Sequence, residues 1–232
     1  NPTYNWNALI KLNSNGALLW YKVIPTFNSM KIAIDSIGNT FVSSVDTLRK
    51  YDNLGNLNWV VPASGNIIDE AGGNLMLASS SQIKMINKVS GAIISIANVN
   101  NCVAAAVSSN GEVYYTGGLG TYKLQNGNVI WSSSLLSGNT IDVLNNTIWL
   151  GRNLIDPVAQ HDSAELVSLN SSGVILIRDT IKNGRILFVN IGSNNRPSVI
   201  STWGGINTPT NSVYSILKPF IVFDDYNLAY GG

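Results

Sequence analysis

The sequence predicts an all-β fold: a β-propeller of about six four-stranded antiparallel blades, in a single domain spanning residues 1–232. Three observations carry this expectation. Apolar residues come in short runs bounded by Gly, Asn and Asp, and no helical period is present. One phrase recurs at near-constant spacing: a strand, a turn closed by Gly, then a second strand often ending in Trp. The two chain ends supply complementary halves of the same unit.

In chain order, residues 8–23 hold the first copy, Ile10 to Trp20 (IKLNSNGALLW), and supply only two strands. Lys31 to Ser44 then gives a strand, a polar turn and a strand, and Arg49 to Trp59 (RKYDNLGNLNW) completes a four-stranded unit. The same two-part unit follows at Asn66 to Ser80 with Lys84 to Ser95, and at Ala104 to Gly118 with Tyr122 to Trp131 (YKLQNGNVIW). It returns at Thr140 to Gly151 with Val167 to Ile177. The turn glycines Gly16, Gly55, Gly91, Gly127 and Gly173 lie 39, 36, 36 and 46 residues apart by subtraction. An insertion, Asn153 to Ser163 (NLIDPVAQHDS), accounts for the long gap and is expected as a loop rising from one face. Arg185 to Pro219 reads as three strands instead of four. Phe220 to Gly231 reads as the first two strands of a blade. These two terminal strands and the two of residues 8–23 are expected to share one blade and close the ring. A lone four-stranded sheet cannot hide both faces, and radial stacking does so.

Composition narrows the function classes. The chain is 45% hydrophobic but only 12% charged, with a net charge of +1. Arg178, Lys182 and Arg185 are the nearest thing to a basic patch, and so few cations predict no nucleic-acid partner. No apolar run is long enough for a membrane span. The surface stays wet through Asn, Ser and Thr, a style suited to exported proteins, and a chain opening at Asn1 predicts a processed or trimmed one. Cys102, the only cysteine, precedes an apolar run and is expected as a buried, inert thiol.

Catalytic material is sparse. His161 is the only histidine; with Asp156 and Asp162 in the insertion it could ligate a metal, but a solvated interaction loop is the expected role. Asp35, Asp69-Glu70 and Asp224-Asp225 read as turn-capping residues, since adjacent carboxylates on a strand point to opposite faces. No phosphate loop or calcium loop is present. No cofactor is expected and no enzyme activity. Trp20, Trp59 and Trp131 are expected to pack between blades. Trp6 and Trp203 fall outside the repeat and are the candidate contact aromatics.

The Gly-x-x-x-Trp endings at Gly16/Trp20, Gly55/Trp59 and Gly127/Trp131 resemble the tryptophan-docking element of quinoprotein-like propellers and related bacterial β-propeller repeats (the PQQ-like and SBBP types). Ser95 and Ile177 depart from it. The resemblance implies architecture. The quinone-dependent members use more blades and a dense ligand set that this chain lacks, so no quinone site is expected. The triplets starting at Asp35, Asp46, Asp162 and Asp179 resemble the O-glycosylation motif of exported Bacteroidota proteins, with Ser36, Thr47, Ser163 and Thr180 as acceptors. The resulting expectation is a non-catalytic protein-interaction module, periplasmic or at the cell surface, such as a subunit or cargo of the type IX export assembly. The alternative is a propeller that binds or acts on carbohydrate through a blade face or the central channel.

Overall fold

The computed structural model describes residues 5–26, 30–44, 46–134, 136–155, 162–182, 184–191, 197–203, 222–223 and 228–229. All regular structure among them is β-strand. The chain divides into two compact units, Asn1–Val99 and Asn100–Gly232, and each is described by itself.

In the first unit, β1 (Asn5–Leu12) pairs with β2 (Leu18–Thr26) as a two-stranded sheet. An antiparallel meander follows: β3 (Lys31–Ile34), β4 (Thr40–Ser43), β5 (Leu48–Tyr51) and β6 (Leu57–Val61). The next sheet repeats it with β7 (Ile67–Ala71), β8 (Asn74–Ala78), β9 (Gln82–Asn87) and β10 (Ile93–Asn98). The first strands of the two sheets, β3 and β7, run beside each other.

The second unit continues with β11 (Cys102–Val107), β12 (Val113–Gly117), β13 (Gly120–Gln125) and β14 (Asn128–Ser133). Its second full sheet is β15 (Thr140–Leu144), β16 (Thr147–Ile155), β17 (Asp162–Asn170) and β18 (Ile175–Lys182). A two-stranded sheet of β19 (Gly184–Ile191) and β20 (Pro197–Trp203) lies against β15. The described part of the C-terminal segment is a pair, β21 (Val222–Phe223) with β22 (Leu228–Ala229).

Burial follows position within each sheet. The second strands β4 and β12 are buried along their whole length; for β4 the sheets on either side do this, Phe41 packing with Leu75 and Val42 with Leu9. Their sequences therefore run apolar or small without alternation. The fourth strands are mostly exposed, leaving Leu57, Val60, Ile93, Ile94, Val129 and Ile130 at the outer edge. Core clusters bridge successive sheets: Phe41 and Leu48 pack with Leu75, Leu77 and Ile86 in the first unit. Tyr114 packs with Ile141, Ile148, Leu150 and Leu169 in the second.

Each repeat turn is locally determined. Asp52 accepts the Asn56 amide at 2.8 Å and the Leu54 amide at 2.9 Å, and Gly55 completes the turn at φ +86°. Asp35 caps its turn in the same way, as expected.

Four sequence expectations need correction or fall partly outside the described residues. The two ends of the 153–163 insertion are strand and not loop, since Asn153–Ile155 and Asp162–Ser163 continue β16 and β17 in register; residues 156–161 lie outside the described residues. Asp69 and Glu70 lie on β7 and not in a turn, because the turn here is made by Gly72 and Gly73. Of the three strands expected over Arg185 to Pro219, two are described, and residues 204–219 lie outside the described residues. The shared terminal blade depends mostly on residues outside the described set.

Candidate interaction surface

The repeat places one lysine and one tryptophan directly opposite each other on adjacent strands, the third and fourth in the four-stranded sheets and β1 and β2 in the first pair. The pairs are Lys11 with Trp20, Lys50 with Trp59 and Lys123 with Trp131. Each pair reaches the following sheet and donates to a single turn carbonyl there. Trp59 Nε1 and Lys50 Nζ meet Lys88 O at 3.3 and 2.9 Å. Trp131 Nε1 and Lys123 Nζ meet Ser171 O at 2.9 and 3.3 Å. Trp20 Nε1 and Lys11 Nζ meet Asn53 O at 3.1 and 3.4 Å. The indole rings also cover the turn glycines. A methyl built on Gly55 would lie 2.9 Å from the Trp20 ring, and one on Gly91 would lie 3.2 Å from Trp59. The tryptophans are therefore packing elements, as expected, with the lysines as unforeseen partners.

The Lys50 and Lys123 ammonium groups are buried at an acceptable cost because aromatic faces and acceptors surround them. Lys50 Nζ is 5.7 Å from the Phe41 ring centroid and Lys123 Nζ 5.6 Å from that of Tyr114. Lys123 also pairs with Glu112 at 2.8 Å, which accepts the Tyr114 hydroxyl at 2.8 Å. Burial pulls the Glu112 carboxyl upward, but hydrogen bonds from Lys123 and Tyr114 and the Lys123 charge outweigh it, so the group sits below the usual carboxylate range. Burial and Glu112 together push the Tyr114 phenol upward. These shifts belong to a seam between sheets, where Glu112, Tyr114 and Lys123 bond one another and Lys123 reaches the Ser171 carbonyl.

Where the lysine–tryptophan pair is missing, the ladder reads Asp69–Met76–Met85–Ser95 and Asp142–Trp149–Ser168–Ile177. The second of these sheets docks its neighbour differently. Asp142 Oδ2 accepts the Ile191 amide at 2.6 Å, and Asn153 bonds both the amide and the carbonyl of Ile186 at 2.8 and 3.2 Å.

One end of the first unit gathers all its Gly-closed turns. Lys11 Nζ ties Gly38 O (2.7 Å) to Asn53 O, and Lys88 N meets Gly73 O at 3.3 Å. Ile37, Leu54 and Val89 project from these turns with 72%, 77% and 81% of their surface exposed. Ile37 and Leu54 occupy the position just before the turn glycine, where other repeats carry Asn15, Ser90, Asn110, Asn126 and Ser172. Asn and Ser suit that position locally and Ile does not, so turn formation does not account for these side chains. This was legible in the sequence as two apolar residues in an otherwise polar column, and was missed.

The sequence-predicted candidates fall partly within the described residues. Asp156 and His161 lie outside the described residues, and Asp162 opens β17 opposite Ile155. Among the described residues no group of three or more His, Cys, Asp or Glu could hold a metal. Trp6 stands on β1 opposite Pro25, and Trp203 on β20 opposite Gly184. Ser36 and Thr180 are exposed and Ser163 is half-buried; the Thr47 hydroxyl is bonded to Ser44 at 2.7 Å. Cys102 is buried, and desolvation raises its thiol to about 11, as an inert role requires. Among the described residues no helix is long and apolar enough to cross a membrane.

No protein-family model matches the sequence, and no curated protein is similar to it. Solved structures are similar in fold. The WD40 domain of Neurospora crassa Pan2 superposes with a TM-score of 0.61 at 10% identity, over 83% of this chain and 66% of that domain. A Bacteroides caccae protein of unknown function gives 0.52 at 14% identity, over 85% and 80%. The extracellular domain of a one component system from B. thetaiotaomicron gives 0.55 at 11% identity, over 99% of this chain but 33% of that one. At such identities the likeness concerns fold alone, and the fold it establishes for these repeated four-stranded sheets is that of the β-propellers.

Proposed function

We propose that this chain is a non-catalytic protein-interaction module of an exported protein, acting at the turn-bearing end of its first unit. The observation that carries the reading is the pair Ile37 and Leu54: held in Asp-capped turns, strongly exposed and replaced by polar residues in the sister turns. Apolar side chains projecting from fixed turns act as anchors for a partner's pocket, and anchors of this kind dominate interface energetics. The propeller fold supports the reading, as it presents many turns on rigid sheets. An exported setting is supported by the low charge and by the fold shared with an extracellular Bacteroides domain. The finer version is a bacterial periplasmic or cell-surface protein working with an outer-membrane export assembly, glycosylated at Ser36 and Thr180.

The test is affinity purification from native envelope fractions with the wild-type chain and with Ile37→Asp/Leu54→Asp. A stoichiometric protein recovered by the wild type and lost by the variant is expected. The two exposed changes should shift stability by no more than about 0.5 kcal/mol each. Recovery of the same partner by both proteins, or of none by the wild type, would remove the proposal.

A further inference from the structure

Asn-Gly pairs are chemically special because glycine has no side chain to keep its nitrogen away from the preceding Asn. The chain has four, at Asn15, Asn110, Asn126 and Asn183, and Asn183 lies outside the described residues. In the other three the asparagine is exposed, so exposure does not separate them.

The glycine amide does separate them. Gly16 N donates to Asn13 O at 3.0 Å, and Gly111 N to Ser108 O at 2.9 Å. The Asn110 side chain is engaged as well, accepting the Ser108 hydroxyl. Asn126-Gly127 is different, being a two-residue connection between β13 and β14 in which Gln125 faces Asn128 directly. Both central residues are left-handed, at φ +51° and +81°, as a type I′ turn requires. Among the described residues neither the Gly127 amide nor the Asn126 side chain has a hydrogen-bond partner.

We propose that Asn126 is a site of spontaneous deamidation, converting with water to aspartate and isoaspartate at the β13–β14 turn. The Gly127 nitrogen attacks the Asn126 side-chain carbonyl carbon and loses its proton as the new C–N bond forms. The side-chain nitrogen leaves as ammonia, giving a cyclic imide. Water then opens the imide at either carbonyl, so one water is consumed and one ammonia released overall. At Gly16 and Gly111 the attacking nitrogen is held by a carbonyl and must first be released. The isoaspartate product adds a methylene to the main chain of a two-residue turn, next to the strands carrying Lys123 and Trp131.

The test is peptide mapping after incubation in warm, mildly alkaline buffer. Trypsin isolates the sites in Leu12–Lys22, Val89–Lys123 and Leu124–Arg152, and fragmentation locates the modified residue. In the folded protein Asn126 is expected to convert several-fold faster than Asn15 and Asn110. In denaturant, where only the shared Asn-Gly chemistry remains, the three rates should converge. Equal rates in the folded protein, a lead by Asn15 or Asn110, or an intact Asn126 beside a converting denatured control would each overturn the assignment.

Discussion

At the residue scale, the lysine–tryptophan pair shows how a charged side chain becomes part of a core. Lys50 lies between Phe41 and Trp59 in one cross-strand row, and its ammonium ends on a carbonyl of the next sheet. Trp59→Ala should cost about 2–4 kcal/mol, the range of large aromatic deletions reduced for partial exposure. The two side chains share an acceptor, so a double-mutant cycle of Lys50→Ala with Trp59→Ala should show coupling of about 0.5–3 kcal/mol by urea unfolding. Additive losses would mean the shared carbonyl couples nothing. Glu112 supplies a pH dependence. Its folded value is depressed, so its stabilising contribution is present above the ordinary carboxylate range and is lost as pH falls through the folded value. Glu112→Gln should flatten that part of the acid unfolding curve, measured against wild type by circular dichroism; an unchanged curve would exclude this carboxylate as a contributor.

At the element scale, the turns separate two effects that glycine normally mixes. Gly16 and Gly55 have nearly equal backbone angles, φ +80° and +86°. A methyl on Gly16 would meet nothing within 4 Å, whereas one on Gly55 would strike the Trp20 ring. Alanine should cost about 1–2 kcal/mol at either site for the left-handed backbone. Gly55→Ala should cost measurably more, and the excess in thermal or urea unfolding reports the sheet-to-sheet contact. Equal losses would show that the indole moves aside freely. The strands and turns were readable from sequence because each is fixed locally, by an Asx cap, a glycine and an apolar run. The ends of the 153–163 insertion were misread because Pro157 and the nearby Asp and His suggest a loop, while the pairing of Asn153 with Ala164 is set by a hairpin partner. Asp69-Glu70 was misread for a similar reason: Gly72-Gly73 already makes the turn, so no Asp is needed there.

At the scale of the whole molecule, repetition was the most legible feature, since turn glycines at regular spacing encode sheets that stack. The tryptophans could be placed because their column is conspicuous. The lysines could not, since a lone cation in a strand normally marks a solvated face, and only the neighbouring sheet supplies its acceptor. The docking of β19 by Thr140, Asp142 and Asn153 was equally hidden, because it joins side chains to backbone roughly three to four dozen residues away. The candidate surface was visible as Ile37 and Leu54 in a polar column, but the exposure that makes it matter exists only in the folded state.

The carbonyl that receives both donors has a further consequence. An amide oxygen with both lone pairs occupied vibrates at lower frequency than one engaged once. Isotopic labelling of the Lys88 carbonyl would therefore set its infrared band apart from the bulk of the sheet absorption. As the protein is warmed, that single line would report when the joint between two adjoining sheets opens, before the sheets themselves come apart.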